Sequence, residues 1–181
     1  MQVLLDDYTW SAGVAMDLVN TSPTVWRGVE KLDALDALTA FLGEHGLGGW
    51  AVGPDDLPPV RALRERLRPL IEEPDPERRV LVAGELTAAV GGVTLADGWA
   101  ATVPDGTPVT AMLGAVAGLG ILAVQLHLGP DRFRPCSSDT CSGVFIDTSR
   151  PGRRRYCMPG LCGNRANVAA HRARRRAAGQ G

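Results

Sequence analysis

The residues best able to do chemistry are four cysteines, Cys136, Cys141, Cys157 and Cys162, spaced C-x4-C, fifteen residues, then C-x4-C. Each short loop can present two thiolates about 2.3 Å from one Zn²⁺, and the interval lets the two pairs close a tetrahedron. Two disulfides or four unrelated buried thiols are the competing uses of the same residues. All four lie in the C-terminal part, whereas a disulfide-stapled secreted domain spreads its cysteines over the fold. Met1-Gln2-Val3-Leu4-Leu5-Asp6-Asp7 lacks the positive start and long apolar run of a signal peptide, so zinc in a reducing cytoplasm is expected. Four thiolates leave no open coordination position, so one structural ion per chain is expected and not a catalytic one. His171, nine residues beyond Cys162, reads as an ordinary exposed histidine.

Between the pairs, Val144-Phe145-Ile146-Asp147 and Arg154-Arg155-Tyr156 read as two short strands around the turn Ser149-Arg150-Pro151-Gly152, and Gly163 opens a helix. Knuckle, hairpin, knuckle and helix make a treble-clef-like arrangement. This part has few large apolar side chains, so metal binding is expected to supply much of its folding free energy, on the order of 10 kcal/mol.

The same part is strongly basic. Residues 1–130 carry 8 Lys and Arg against 17 Asp and Glu, a net −9, whereas residues 131–181 carry 11 Arg against three Asp, a net +8. The chain's overall −1 hides this division, which points to an anionic partner for the C-terminal part. Arg165, Arg172 and Arg176 share one helix face, with Ala166, Ala169, Ala170 and Ala173 on another. Together with Arg153, Arg154, Arg155, Asn164 and Arg175 they are the candidate contacts to duplex DNA, neutralising phosphates or pairing with guanine. Asn164 is also a candidate helix cap. Two other readings compete. Genome base composition would favour Arg over Lys throughout, and the arginines could pair with the chain's own acidic part.

These residues must be positioned by the rest of the chain, whose 45% hydrophobic and 22% charged composition is that of a globular protein. Apolar spacing predicts helices over Ser11 to Asn20, Val29 to Glu44, a stretch opening after Pro58-Pro59 and ending at Pro74, and Glu77 to Val90. Val93 to Ala96, Asp97-Gly98 and Trp99 to Val103 predict a hairpin. Val109 to Leu128 is an uncharged run at the lower limit for a bilayer span. Its Ala and Gly content, its lack of an aromatic belt and Thr107-Pro108 as cap favour a buried core helix and no membrane. The expected fold is mainly α with a small β-hairpin. Residues 1–130 form a helical domain, Gly129-Pro130-Asp131 the boundary, and residues 131–181 a four-cysteine zinc finger.

The helical part shows no phosphate loop, nucleotide fingerprint or serine elbow, and no enzyme is expected. Asp17, Asn20 and Thr21 are candidate effector ligands, since i and i+4 can face one pocket; alternatively Asn20-Thr21 ends a helix and satisfies backbone groups at a domain seam. His45 and His127 read as structural or solvated.

Cys162-Gly163-Asn164-Arg165, with Phe145 to Arg150 and Arg154-Arg155-Tyr156-Cys157 before it and Ala166 to Arg174 after it, resembles the CGNR zinc finger family. Ala15-Met16-Asp17-Leu18-Val19-Asn20-Thr21 is similar to the opening segment of the ABATE domain that usually precedes that finger. Tyr156 stands where Trp is frequent, and His171 where an aromatic is common. The resemblance implies a bacterial, stress-related transcription regulator with Cys136, Cys141, Cys157 and Cys162 as zinc ligands. The expected activity is therefore duplex DNA binding by a zinc-held basic helix, with ligand sensing or homodimerisation in the helical part. The rival expectations are a protein-interaction module for an acidic partner and a small-molecule enzyme with a deep pocket.

Overall fold

The computed structural model describes residues 1–95, 98–165, 167, 168, 172, 174 and 175. Ala96 and Asp97 of the expected hairpin, and Ala166, Ala169, Ala170, His171, Ala173 and Arg176 of the expected basic helix, lie outside the described residues. Five helices carry the fold: α1 (Tyr8–Val19), α2 (Leu35–Glu44), α3 (Leu57–Glu72), α4 (Pro76–Leu86) and α5 (Val109–His127). Strands β1 (Gln2–Leu4), β2 (Gly92–Leu95) and β3 (Trp99–Thr102) form an antiparallel sheet in the order β1-β3-β2. Strands β4 (Phe133–Pro135) and β5 (Val144–Ile146) pair antiparallel in the C-terminal part.

Helix α5 is the centre of the core. It has the length and apolarity to cross a bilayer, yet here it is packed chiefly against α1 and α4, with Met112, Leu113, Val116, Ile121 and Val124 fully buried. Its small residues are what let the helices close. At Gly120 an added Cβ would lie 2.4 Å from the Ala12 nitrogen and 2.5 Å from the Ser11 carbonyl carbon, so α1 rests directly on the α5 backbone. Thr107 does not cap this helix: its hydroxyl donates to the Pro104 carbonyl, and Pro108 takes the capping position.

Other departures from the sequence expectation have identifiable physical causes. The second helix begins at Leu35 and not Val29, because Glu30 is drawn out of helical register to pair with Arg64 on α3. That pair is bidentate, at 2.6 and 2.9 Å, and Arg64 is 4% exposed. Hydrogen bonding to Arg64 holds the Glu30 carboxyl below its usual range against the opposing effect of burial. The fourth helix ends at Leu86, four residues early, in a tight turn over Thr87–Ala89. Strand β1 is an addition to the expected hairpin; its Val3 is buried opposite Ala101.

Replacing Gly120 by alanine should force α1 and α5 apart. Chemical denaturation is expected to show a loss of about 2–3 kcal/mol, whereas Gly43→Ala, where nothing lies within 4 Å, should cost far less.

Candidate metal centre

Strand β5 positions the cysteine cluster, and it is buried on both faces. Val144 and Ile146 enter the helical core, while Phe145 points to the other side and packs with Met16, Cys157 and Cys162. The hairpin partner of β5 is β4, in the register Phe133 to Ile146 and Pro135 to Val144. The expected pairing with Arg154-Arg155-Tyr156 is therefore corrected: the first knuckle is itself the connection between the two strands. The reason is local. The Arg154 amide donates to the Asp147 carboxylate, and the Arg155 carbonyl accepts from Ser137, so the 153–156 segment runs beside the knuckle and not along β5.

The first knuckle closes with the Cys136 amide on the Gly143 carbonyl at 2.8 Å and the Cys141 amide on the Ser138 carbonyl at 2.9 Å. The second is a single wide turn over Pro159–Gly163, with the Cys162 amide on the Met158 carbonyl at 2.7 Å. Together they bring all four Sγ atoms within 4.8 Å of one another, none of them in a disulfide. Cys141 Sγ lies 3.6 Å from Cys157 Sγ, which lies 3.8 Å from Cys162 Sγ. A tetrahedron with metal–sulfur bonds of about 2.3 Å has sulfur–sulfur edges of about 3.8 Å. Burial pushes the Cys157 thiol up, and the Cys162 thiol up to about 11. Cys136 goes the other way, because amides of Cys157 and Ser138 outweigh its burial. Sulfurs so close and so desolvated ionise together only around a cation, and the donor set fits one structural Zn²⁺.

Gly143 makes room for this cluster. An added Cβ would lie 2.5 Å from Cys157 Sγ and 3.2 Å from Cys141 Sγ, and the Gly143 amide donates to Cys141 Sγ at 3.3 Å. Gly163 of the Cys-Gly-Asn-Arg stretch lies under Tyr156, whose ring would be 3.3 Å from an added Cβ. Asn164 does not cap by accepting an amide; its side chain donates to the Gly160 carbonyl at 2.6 Å and fastens the second knuckle to the helix that follows. Asn164, Arg165, Asn167, Val168, Arg172, Arg174 and Arg175 are helical and exposed.

The arginines divide into two sets. Arg154 is directed inward, donating to the carbonyls of Tyr156 and Cys157, with its guanidinium 5.2 Å from the Phe145 ring centre. Arg132 donates to the carbonyls of Asp147 and Ser149, and Arg134 to Asp131 and Gly152. Their common focus is Asp147, fully buried, which accepts from Ser149 and Arg154 and lies 3.6 Å from Arg134. Those bonds overcome burial and hold its carboxyl below the ordinary range. By contrast Arg150, Arg153, Arg155, Arg165, Arg172, Arg174 and Arg175 are exposed, and among the described residues none lies within 4 Å of a carboxylate. Arg153 and Arg155 flank Arg154 and are exposed, the Arg155 guanidinium 5.8 Å from the Tyr156 ring centre.

The module is fastened to the helices by Asn20, one of the residues offered above for a domain seam, and by Arg68 and Arg79, which spacing did not reveal. The Asn20 side chain donates to the Val144 carbonyl at 2.8 Å and accepts from the Val144 amide at 3.1 Å, completing the pairing of an edge residue from 124 positions away. This places Asn20 at the seam, with its amide committed to backbone. Thr21 likewise donates to the Leu18 carbonyl and receives Arg64. Arg68 reaches the Ser142 carbonyl, and buried Arg79 lies 4.1 Å over the Phe133 ring. Asp17, Asn20 and Thr21 line one pocket of about 450 Å³ between α1, α2 and Met158 of the second knuckle. Asp17 stands 3.7 Å from His45, and burial raises its pKa.

Two outcomes are expected here. Gly143→Ala should weaken zinc retention by about tenfold or more in competition with a chelator, since it displaces the sulfurs' supporting shell. Asp147 has a lower pKa folded than unfolded, so its contribution is complete above about pH 4 and disappears as acid titrates it through its folded value. Asp147→Asn should therefore cost about 2 kcal/mol at pH 7, and thermal unfolding of the two proteins should converge as acid takes the pH down through the folded pKa of Asp147.

Residues 12–127, more than half of the chain, match the ABATE family, described as "Putative stress-induced transcription regulator", and residues 132–175 match the CGNR zinc finger. No curated protein matches the chain. With the four sulfurs converging inside the matched finger and the helical core filling the matched region before it, the chain belongs to the ABATE family and carries a CGNR zinc finger at its C-terminal end.

Proposed function

We propose that this protein is a DNA-binding transcription regulator, not an enzyme, in which zinc fixes a basic turn and helix for contact with duplex DNA. The observation that carries this reading is the division of the arginines. Arg132 and Arg134 fasten the 147–152 turn and Arg154 the second knuckle, while Arg153, Arg155, Arg165, Arg172 and Arg175 stay exposed and away from carboxylates among the described residues. Exposed guanidinium groups beside one another repel, which is tolerable when a polyanion neutralises them. Their exposure, with no carboxylate within 4 Å among the described residues, supports this reading over pairing with the acidic helices. The family's description as a regulator agrees with this reading. A closed tetrathiolate shell supplies no vacant metal position for catalysis. Ligand sensing falls to the helical part, whose pocket at Asp17, Asn20 and Thr21 touches the knuckle through Met158.

Retardation of duplex DNA by the zinc-loaded chain should weaken steeply with salt. In the double variant Arg153→Ala and Arg155→Ala the log–log salt slope should fall by about 2, with zinc content unchanged. Arg154→Ala should instead lower zinc retention. No retardation at low salt, with capture of an acidic protein surface in its place, overturns the reading.

A further inference from the structure

The pocket between α1, α2 and the second knuckle neither holds zinc nor belongs to the exposed arginine surface. Its volume of about 450 Å³ suits a compact organic molecule. The floor is apolar, with Leu32 and Phe41 buried and Ala37 and Ala40 beside them. The charged lining groups are Asp17, Glu44 and Lys31. Neither carboxylate receives a hydrogen bond from a described residue, and Lys31 does not neutralise them: its Nζ lies 4.4 Å over the Trp26 ring. His45 Nε2 lies 3.7 Å from Asp17, and the Arg154 guanidinium and Glu44 act on it from further off. Counting Asp17, Glu44 and Lys31, the lining carries one excess negative charge.

We infer that this pocket binds a small organic monocation, a primary amine on a short apolar body. The ammonium supplies the N–H donors that Asp17 and Glu44 lack and removes the excess charge; the apolar body covers Leu32 and Phe41. A carboxylate ligand would face two like charges, and an alcohol would leave the charge uncompensated. Met158 follows Cys157 directly, and Asn20 lines the pocket while clasping Val144. A bound amine therefore touches the helical part and the zinc module at once. Only this regulatory consequence rests on the reading of the protein as a regulator.

The test is calorimetric titration of the zinc-loaded full chain, without DNA, by 2-phenylethylamine, 2-phenylethanol and phenylacetate. The amine should bind one per chain, about tenfold or more tighter than the alcohol, with phenylacetate weakest. Asp17→Asn and Glu44→Gln should each weaken the amine by about fivefold. Equal binding of amine and alcohol, tighter binding of phenylacetate, no saturable heat with any of the three, or an amine affinity unchanged in both variants overturns the inference. The comparison of the three compounds on the unaltered protein does not depend on the variants folding. With DNA absent, failure here leaves DNA retardation as it was, and failed retardation leaves the amine titration standing.

Discussion

Strand β5 is the constraint on which the molecule depends. Three residues are buried on both faces: Val144 and Ile146 belong to the core built around α5, and Phe145 belongs to the cysteine cluster. A strand with no solvent face cannot change partners without exposing one core or the other. The Asn20 amide, bonded to both backbone groups of Val144, removes the remaining freedom by satisfying an edge that would otherwise be buried without partners. Metal is accordingly one of two supports for the finger, the other being its docking on α1 and α3.

This docking gives the acidic and basic halves of the chain a definite relation. Opposite charge does not join them broadly. The contacts are specific and mostly to neutral groups: Asn20 to Val144, Arg68 to Ser142, Arg79 over Phe133. The arginines nearest the knuckles saturate carbonyls left free by tight turns, a use for which the planar five-donor guanidinium is suited and an ammonium is not. What remains outward is a positive surface mounted on a fixed body.

The seam also creates the pocket. Neither the helices nor the finger encloses it alone; Met158 from the knuckle completes a wall otherwise made by α1, α2 and the loop carrying Trp26 and Lys31. That loop is held by the buried Arg64–Glu30 pair, with Arg27 in the left-handed region (φ 56°) and Gly28 following (φ 90°). Its course is therefore set by an ion pair whose breaking would leave the buried Arg64 with only the exposed Glu65 carboxylate.

Spacing alone determined the zinc ligands, because thiolates on short loops must converge within a few ångströms to share an ion, and only a few separations allow it. Helical periodicity likewise revealed α1 and α3, an uncharged Ala- and Gly-rich run behind Thr107-Pro108 revealed α5, and the turn-flanked apolar runs revealed β2 and β3. The start of α2, the partner of β5 and the sorting of the arginines were decided by tertiary structure. Glu30 left its helix for Arg64, β5 chose β4 because Asp147 captured the Arg154 amide, and adjacent Arg153, Arg154 and Arg155 took opposite roles. The first turns on an ion pair between groups 34 positions apart, the second on a hydrogen bond within one loop and the third on which way a side chain faces once the knuckle closes, and residue type carries no mark of any of them. Gly143 was invisible for the same reason: its need for a bare Cα arises only when two cysteine sulfurs arrive beside it.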